Sequence, residues 1–265
     1  MKSELTFAVC AYKESPHLEA ALGSIRAQSI SAQVLVATST PSEYIRGLAE
    51  KYGAAYHVNP EKKGIAADWN FALTRAETPY VTLAHQDDIF MPEYAAEVMK
   101  RLKRHRDALI CFTDYGDLLA DGKIHCNRFY LQVKRLLLWA FYLRNSWSCR
   151  MMKRSALVFG NAICCPSVTY HLPALGDLRF DDSYSVNLDW AMWLNLADRP
   201  GAFCYVPKPV MAHRIDESME TAAAIADHRR YEEDYRIFAM IWGGFIAKLL
   251  MHFYRKSYDA NVKKS

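Results

Sequence analysis

Short apolar runs and amphipathic stretches alternate over the first 115 residues, and their periods set the elements they predict. Leu5–Cys10 and Gln33–Thr38 are nearly continuous apolar runs of strand length, as in a sheet covered on both faces. Between them Ser15-Pro16 opens a helix in which Leu18, Leu22 and Ile25 recur at three-to-four spacing. Thr40-Pro41-Ser42-Glu43 supplies an N-cap hydroxyl at Thr40, proline at the first helical position and glutamate three residues after the cap. This capping box starts a helix that runs to Tyr52. Strands are predicted at Ala55–Val58, Tyr80–Ala84 and Ala108–Thr113, with helices at Gly64–Ala76 and Pro92–Arg106. The order βαβαβαβαβ is that of a doubly wound α/β half, parallel because each crossover is a helix. After Asp114 the alternation stops. An aromatic, basic, mostly helical stretch (Phe129–Trp147) leads through a loop of small residues at 160–167 to a helix around 187–197. The expected division is a ligand-binding α/β subdomain over 1–115, a second subdomain over 116–230 and a helical extension over 231–265. No Gly/Ser/Pro linker separates them, so one continuous core and a shared cleft are expected.

Composition adds limits. Of 265 residues 51% are hydrophobic and 23% charged, which excludes a disordered chain and provides for a sizeable core. The net charge of +4 suits anionic ligands or an anionic membrane surface but does not indicate a nucleic-acid binder. Seven cysteines without a CxxC spacing fit a reducing cytoplasm. The N-terminal apolar stretch ends before Lys13, too short for a signal peptide, and Asn161, Pro166, His171 and Pro173 interrupt the uncharged segment 155–176. The chain reads as soluble, or peripheral on the inner face of a membrane.

In open α/β sheets ligands bind beyond the carboxyl ends of the strands. Four segments occupy such places: Ala11-Tyr12-Lys13-Glu14, Ser39-Thr40, His85-Gln86-Asp87-Asp88 and Thr113-Asp114. Adjacent carboxylates after a strand suit either a solvated turn at a helix start or hard oxygen ligands for Mg²⁺ or Mn²⁺ beside phosphates.

Here the chain resembles the glycosyltransferase family 2 enzymes of the GT-A fold. LTFAVCAYKESPHLEAALGSIRAQS is similar to that family's opening strand, tyrosine loop and first helix, and NPEKKGIAADWNFALTRAETPYVTLAHQDDIFMPEY to the glycine-containing stretch leading into its acidic metal motif. NLDWAMWLNLA resembles the helix that bears its catalytic base, and AHRIDESMET its late diphosphate loop, all in matching order. The resemblance implies a Rossmann-like mixed sheet flanked by helices, a helical and loop-built acceptor subdomain and a C-terminal helix. It also implies a metal-dependent, inverting transfer of a hexose-type sugar from a nucleoside-diphosphate sugar to a hydroxyl of a glycan or lipid-linked glycan. Its metal ligands fall on Asp87, Asp88 and His213 and its base on Asp189. Its donor contacts fall on Ala11, Tyr12, Glu14, Thr38, Gly64, Asp68, His85, Gln86, Asp87, Arg214 and Ser218. Two departures stand out. His85 replaces the first aspartate of an Asp-x-Asp-Asp motif, and Ala37-Thr38-Ser39-Thr40 lacks the aspartate that reads uracil.

Physical chemistry supports several of these roles. On a helix Val186, Trp190, Trp193, Leu194 and Ala197 make an apolar stripe with Asp189 at its border, and the tryptophans offer faces to an acceptor. The alternative is an acid that favours a helix N-terminal turn. Arg214 suits a diphosphate clamp. FYLQVKRLLLWAFYLRNSW and IFAMIWGGFIAKLLMHFYRK mix aromatic, aliphatic and basic residues, which fits docking on an anionic bilayer, core packing or a homodimer. Two rival functions stay open at this stage. One is a sugar-1-phosphate nucleotidyltransferase, although CAYKESP lacks its glycine-rich loop; the other is a degenerate glycosyltransferase-like binding module.

Overall fold

A computed structural model describes residues 3–61, 63–215 and 229–262. The predicted alternation forms as β1 (Leu5–Ala11), α1 (Leu18–Arg26), β2 (Gln33–Thr38), α2 (Glu43–Lys51), β3 (Ala55–Val58), α3 (Ile65–Arg75), β4 (Tyr80–His85), β5 (Ile89–Phe90), α4 (Tyr94–Arg104) and β6 (Ala108–Leu118). Beyond it lie β7 (Ile124–His125), α5 (Phe129–Leu137), α6 (Trp139–Leu143), β8 (Ser146–Trp147), α7 (Arg150–Ser155), β9 (Val168–His171), α8 (Leu172–Leu175), α9 (Leu188–Ala197), β10 (Ala202–Arg214) and α10 (Arg229–Val262). One cap differs from expectation. Ser42, not Thr40, caps α2, accepting from Ile45 N, while Thr40 Oγ1 accepts from Lys13 N at 2.6 Å. A tertiary donor takes the hydroxyl that the capping box would have used locally.

All strands join one mixed sheet in the order β3-β2-β1-β4-β9-β6-β10-β5, with β7 on β6 and β8 on β10. β1 to β4 are parallel, β9 runs antiparallel between β4 and β6, and β10 runs parallel to β6. The boundary near 115 falls inside β6, and both β9 and β10 come from the 116–230 segment. Side chains along each strand divide between two cores by period two. Phe7, Val9 and Cys111 pack with α1, α2 and α4, whereas Ala8, Ile110 and Phe112 pack with α3, α9 and α10.

Three features aim the chain at one edge. Register places Ala11 beside Thr38 and Cys10 beside His85, so the carboxyl ends of β1, β2 and β4 finish side by side. β10 slips register twice around Pro209, and β5, which directly follows Asp88, pairs with Met211 and Ala212. Such bulges bend a strand and re-aim its end, here carrying His213 and Arg214 to the acidic pair. In α10 the helix breaks at Gly243, whose φ of +79° is in the range that favours glycine.

Candidate active site

The loop after β1 is held at both ends. Gln86 clamps Tyr12 by both backbone groups: Tyr12 N donates to its Oε1 at 3.0 Å and its Nε2 donates to Tyr12 O at 2.9 Å. Lys13 adopts φ +55° with its N–H bound to Thr40, and Thr38 Oγ1 in turn accepts from Thr40 N. Positive φ is uncommon for a residue with a Cβ and persists where surroundings enforce it. The result presents the Tyr12 ring 54% exposed with Lys13 Nζ 5.2 Å from its centroid, while Glu14 is exposed and Ala11 is buried. Gln86 thus spends its amide on shaping the loop.

Asp68 faces the end of β2. It accepts from Ser39 Oγ and Asn59 Nδ2, each at 2.8 Å, and Asn59 N closes the arrangement on Thr38 O. Gly64 N-caps α3 at φ +95° with open space around it, so backbone conformation rather than close approach calls for glycine there.

The acidic motif is built from inside outward. Asp88 is fully buried; its Oδ1 accepts from His213 Nδ1 and Arg214 N, both at 2.9 Å. Burial alone would raise its carboxyl, but the His213 charge and hydrogen bond, with His85 and the Arg214 N–H, hold it below the usual range. Asp88 in turn raises His213 against the effect of burial. Asp87 is raised, by burial first and then by the Asp88 charge. Ligand atoms of His85, Asp87 and Asp88 lie within 4.8 Å of one another. His85 stacks on Trp69 at 5.3 Å, and Asp88 Oδ2 and His85 Nε2 are buried without a hydrogen-bond partner among the described residues. Two carboxylates and an imidazole with orphaned atoms fit a divalent cation. The cluster includes His85, expected as a donor contact. His213, expected as a ligand, spends Nδ1 on fixing Asp88. Arg214 Nε donates to Asp87 O at 2.9 Å, and its terminal nitrogens make no hydrogen bond among the described residues. Ser218 lies outside the described residues.

Asp189 sits in the first turn of α9, half-buried. Its Oδ1 accepts from Trp190 N at 2.7 Å and its Oδ2 from Asn161 Nδ2 at 2.8 Å, and burial raises its carboxyl. α9 is covered nearly all round, so the expected tryptophan platform does not form. Trp190 and Trp193 are buried in the core: Trp190 Nε1 donates to Leu157 O and its ring meets Phe238 of α10 edge-on at 5.2 Å, while Trp193 packs on Tyr170 of β9 at 5.8 Å.

Three residues of this site are not marked by the sequence: Asn161 on Asp189, Asn59 on Asp68, and Lys134 on Tyr115. Each acts through a contact distant in sequence. Only the loop of small residues at 160–167 offered a signal.

The sequence model for Glycosyl transferase family 2 matches residues 6–159. No curated protein sequence matches the chain. Among solved structures, S. aureus TarS 1-349 shares 13% identity at a TM-score of 0.65, over 94% of this chain and 69% of that one. TarS 1-349 in complex with UDP-GlcNAc gives 15% and 0.61, over 94% and 70%. The mannosyltransferase PcManGT from Pyrobaculum calidifontis in complex with GDP-Man and Mn2+ gives 17% and 0.62, over 89% and 63%.

Proposed function

The chain belongs to glycosyl transferase family 2 and is a glycosyltransferase with the GT-A fold, and from that premise we propose a metal-dependent, inverting transfer of a hexose-type sugar from a nucleoside-diphosphate sugar to a hydroxyl of a lipid-linked glycan. The observation that carries the reading is the meeting at one sheet edge of the His85–Asp87–Asp88 cluster with Arg214. The neighbours' ligands, UDP-GlcNAc and GDP-Man with Mn2+, support a nucleotide-sugar donor.

His85, Asp87 and Asp88 would hold Mn²⁺ or Mg²⁺, which when bound supplies Lewis-acid stabilisation of the leaving diphosphate. Tyr12 offers a base-stacking face on its clamped loop, and Arg214 turns its terminal nitrogens to the phosphates. Asp68, carried to the end of β2 through Ser39, stands in for the missing uracil-reading carboxylate. Asp189 receives the acceptor hydroxyl proton as the new glycosidic bond forms, and burial, which raises its carboxyl, makes it a stronger base than an exposed aspartate. Asn161 keeps Oδ2 aimed.

The acceptor and location follow from the surface. Phe129 (85% exposed), Leu136 (71%) and Leu143 (73%) on α5 and α6, and Phe245 (87%) and Leu249 (55%) after the kink of α10, stand outward. Gly160 is closed in by Leu137 and Tyr254, and Phe159 stacks on Trp242 at 5.2 Å, so α5, the 159–160 turn and α10 are neighbours. Segments 122–176 and 235–258 contain no Asp or Glu but twelve Lys and Arg between them, namely Lys123, Arg128, Lys134, Arg135, Arg144, Arg150, Lys153, Arg154, Arg236, Lys248, Arg255 and Lys256. Several of these cations are spent or covered, Arg128 on Asp117, Arg135 on Asp114, Arg150 and Arg154 on Asp198, and Lys153 in the interior. The exposed Lys123, Arg144, Arg236 and Lys248 beside the outward apolar side chains suit the anionic inner face of a membrane, where a lipid-linked acceptor is presented. No helix among the described residues is long and apolar enough to cross a bilayer.

The test screens nucleotide sugars with Mn²⁺ for binding and slow hydrolysis in wild type, Asp87→Asn and Asp189→Asn. Asp87→Asn should weaken Mn²⁺-dependent donor binding. Asp189→Asn should bind donor normally and lose transfer by about 10²–10⁴-fold. If no nucleotide sugar binds, or both variants turn over like wild type, the mechanism is wrong.

A further inference from the structure

Three cations approach β6 from α5 and the turn that enters it, and two of them are neutralised. Arg128 Nη1 pairs with the buried Asp117 and Arg135 Nε with Asp114, each at 2.9 Å. Lys134 differs. Its Nζ donates to a neutral hydroxyl, Tyr115 Oη, at 3.0 Å and lies 5.5 Å from the centroid of that ring, and it has no ion pair among the described residues. The Tyr115 ring meets the His213 ring edge-on at 6.4 Å, and His213 holds Asp88. The ammonium is therefore linked to the acidic cluster through two rings, Tyr115 and His213. Burial pulls it below the usual lysine range, and the Arg230 charge adds to this, while the charges of Asp189 and Asp117 oppose it. Holding a buried ammonium without a direct ion pair is costly, and an arriving oxyanion relieves the cost.

We propose that Lys134 is a phosphate-binding residue whose Nζ receives an oxygen of the nucleoside diphosphate as it departs. The assignment rests on the nucleotide-sugar reading above. When the bond from the anomeric carbon to the diphosphate oxygen breaks, its electron pair stays on that oxygen. Lys134 contributes charge and a hydrogen bond and gives up no proton, so it is worth more in the transition state than before it. The same oxyanion chemistry would serve a phosphate or carboxylate on the acceptor, and the experiment separates the two sources.

Calorimetry of UDP and GDP with Mn²⁺, and of UMP and GMP as controls, is compared in wild type, Lys134→Met, Lys134→Arg and Tyr115→Phe, each checked for folding by thermal melting. Wild type should favour a diphosphate over its monophosphate. Lys134→Met should weaken diphosphate binding by about 10–100-fold and largely abolish that preference. Lys134→Arg should restore most of it. Tyr115→Phe, which removes the Lys134 hydrogen bond but keeps the charge, should retain the preference, whereas a merely structural role for Lys134 would make it mimic Lys134→Met. Unchanged diphosphate affinity in folded Lys134→Met overturns the proposal and leaves the amine to an anionic acceptor. A wild type that binds neither diphosphate fails the donor reading first, and the Lys134 assignment falls with it.

Discussion

Asn161 shows how one amide in a loop can set the chemistry of a carboxylate elsewhere. Its Nδ2 reaches Asp189 Oδ2 while its Oδ1 accepts from Ile163 N at 3.2 Å, so the loop and the carboxylate fix each other. Burial raises Asp189, and the Arg230 charge, the Trp190 N–H, the Lys134 charge and this hydrogen bond partly offset the rise by favouring the ionised form. The base form is lost as pH falls through the raised value, so the acid limb of kcat/KM should lie above the ordinary aspartate range near ~4. Asn161→Ala removes a contact that favours the carboxylate and should move that limb to still higher pH, with a drop in kcat of about tenfold or more at neutral pH. A pH–rate profile of both proteins checks this; an unmoved limb would mean that Asp189 is not the titrating base. Asp189 was legible as a candidate in the sequence through the likeness of NLDWAMWLNLA to the family's base-bearing helix, whereas Asn161 was not, since its partner is 28 residues away.

Among elements, α10 acts as a brace for α9. The Glu233 carboxylate accepts from Ser185 N, Ser185 Oγ, Val186 N and Asn187 N at 2.7–3.0 Å. Burial would raise it, but these donors hold it below the usual range, so its contribution to stability is present at neutral pH and lost as pH falls through the lowered value. Glu233→Gln should cost about 1–3 kcal/mol in chemical denaturation and loosen the turn that carries Asp189. The adjacent Asp234 has the opposite linkage. Burial pushes it up to about 6, and Asn187 Nδ2 donates to it at 2.6 Å. The folded protein binds the extra proton between about pH 4 and 6, so this group's contribution falls as pH rises through that window. Asp234→Asn should remove that part of the slope in stability against pH, and an unaltered slope would assign it to other groups. Local pattern made α9 readable at 188–197, but its brace was not, because Glu233 lies nearly 50 residues further on.

At the scale of the molecule, the apolar and cationic face formed by α5, α6 and α10 yields a direct prediction. The protein should co-sediment with vesicles containing phosphatidylglycerol and less with phosphatidylcholine alone, with binding weakened by salt. Leu136→Glu combined with Phe245→Glu should abolish co-sedimentation and leave nucleotide binding intact. Loss of a concentration-dependent dimer in that variant, without any vesicle binding by wild type, would instead assign the face to a second copy. The sequence by itself determined the alternating elements as far as β6, the family, and the position of the acidic pair after β4, because each is written in residues a few places apart. The tertiary structure alone decided that β9 enters the sheet between β4 and β6, that His85 rather than His213 completes the acidic cluster, and that the tryptophans of α9 face core. The physical reason is common to all three. Strand insertion, the aim of a bulged strand and the covering of a helix face are settled by competition among distant segments for the same hydrogen bonds and buried surface, and short-range pattern does not encode that competition.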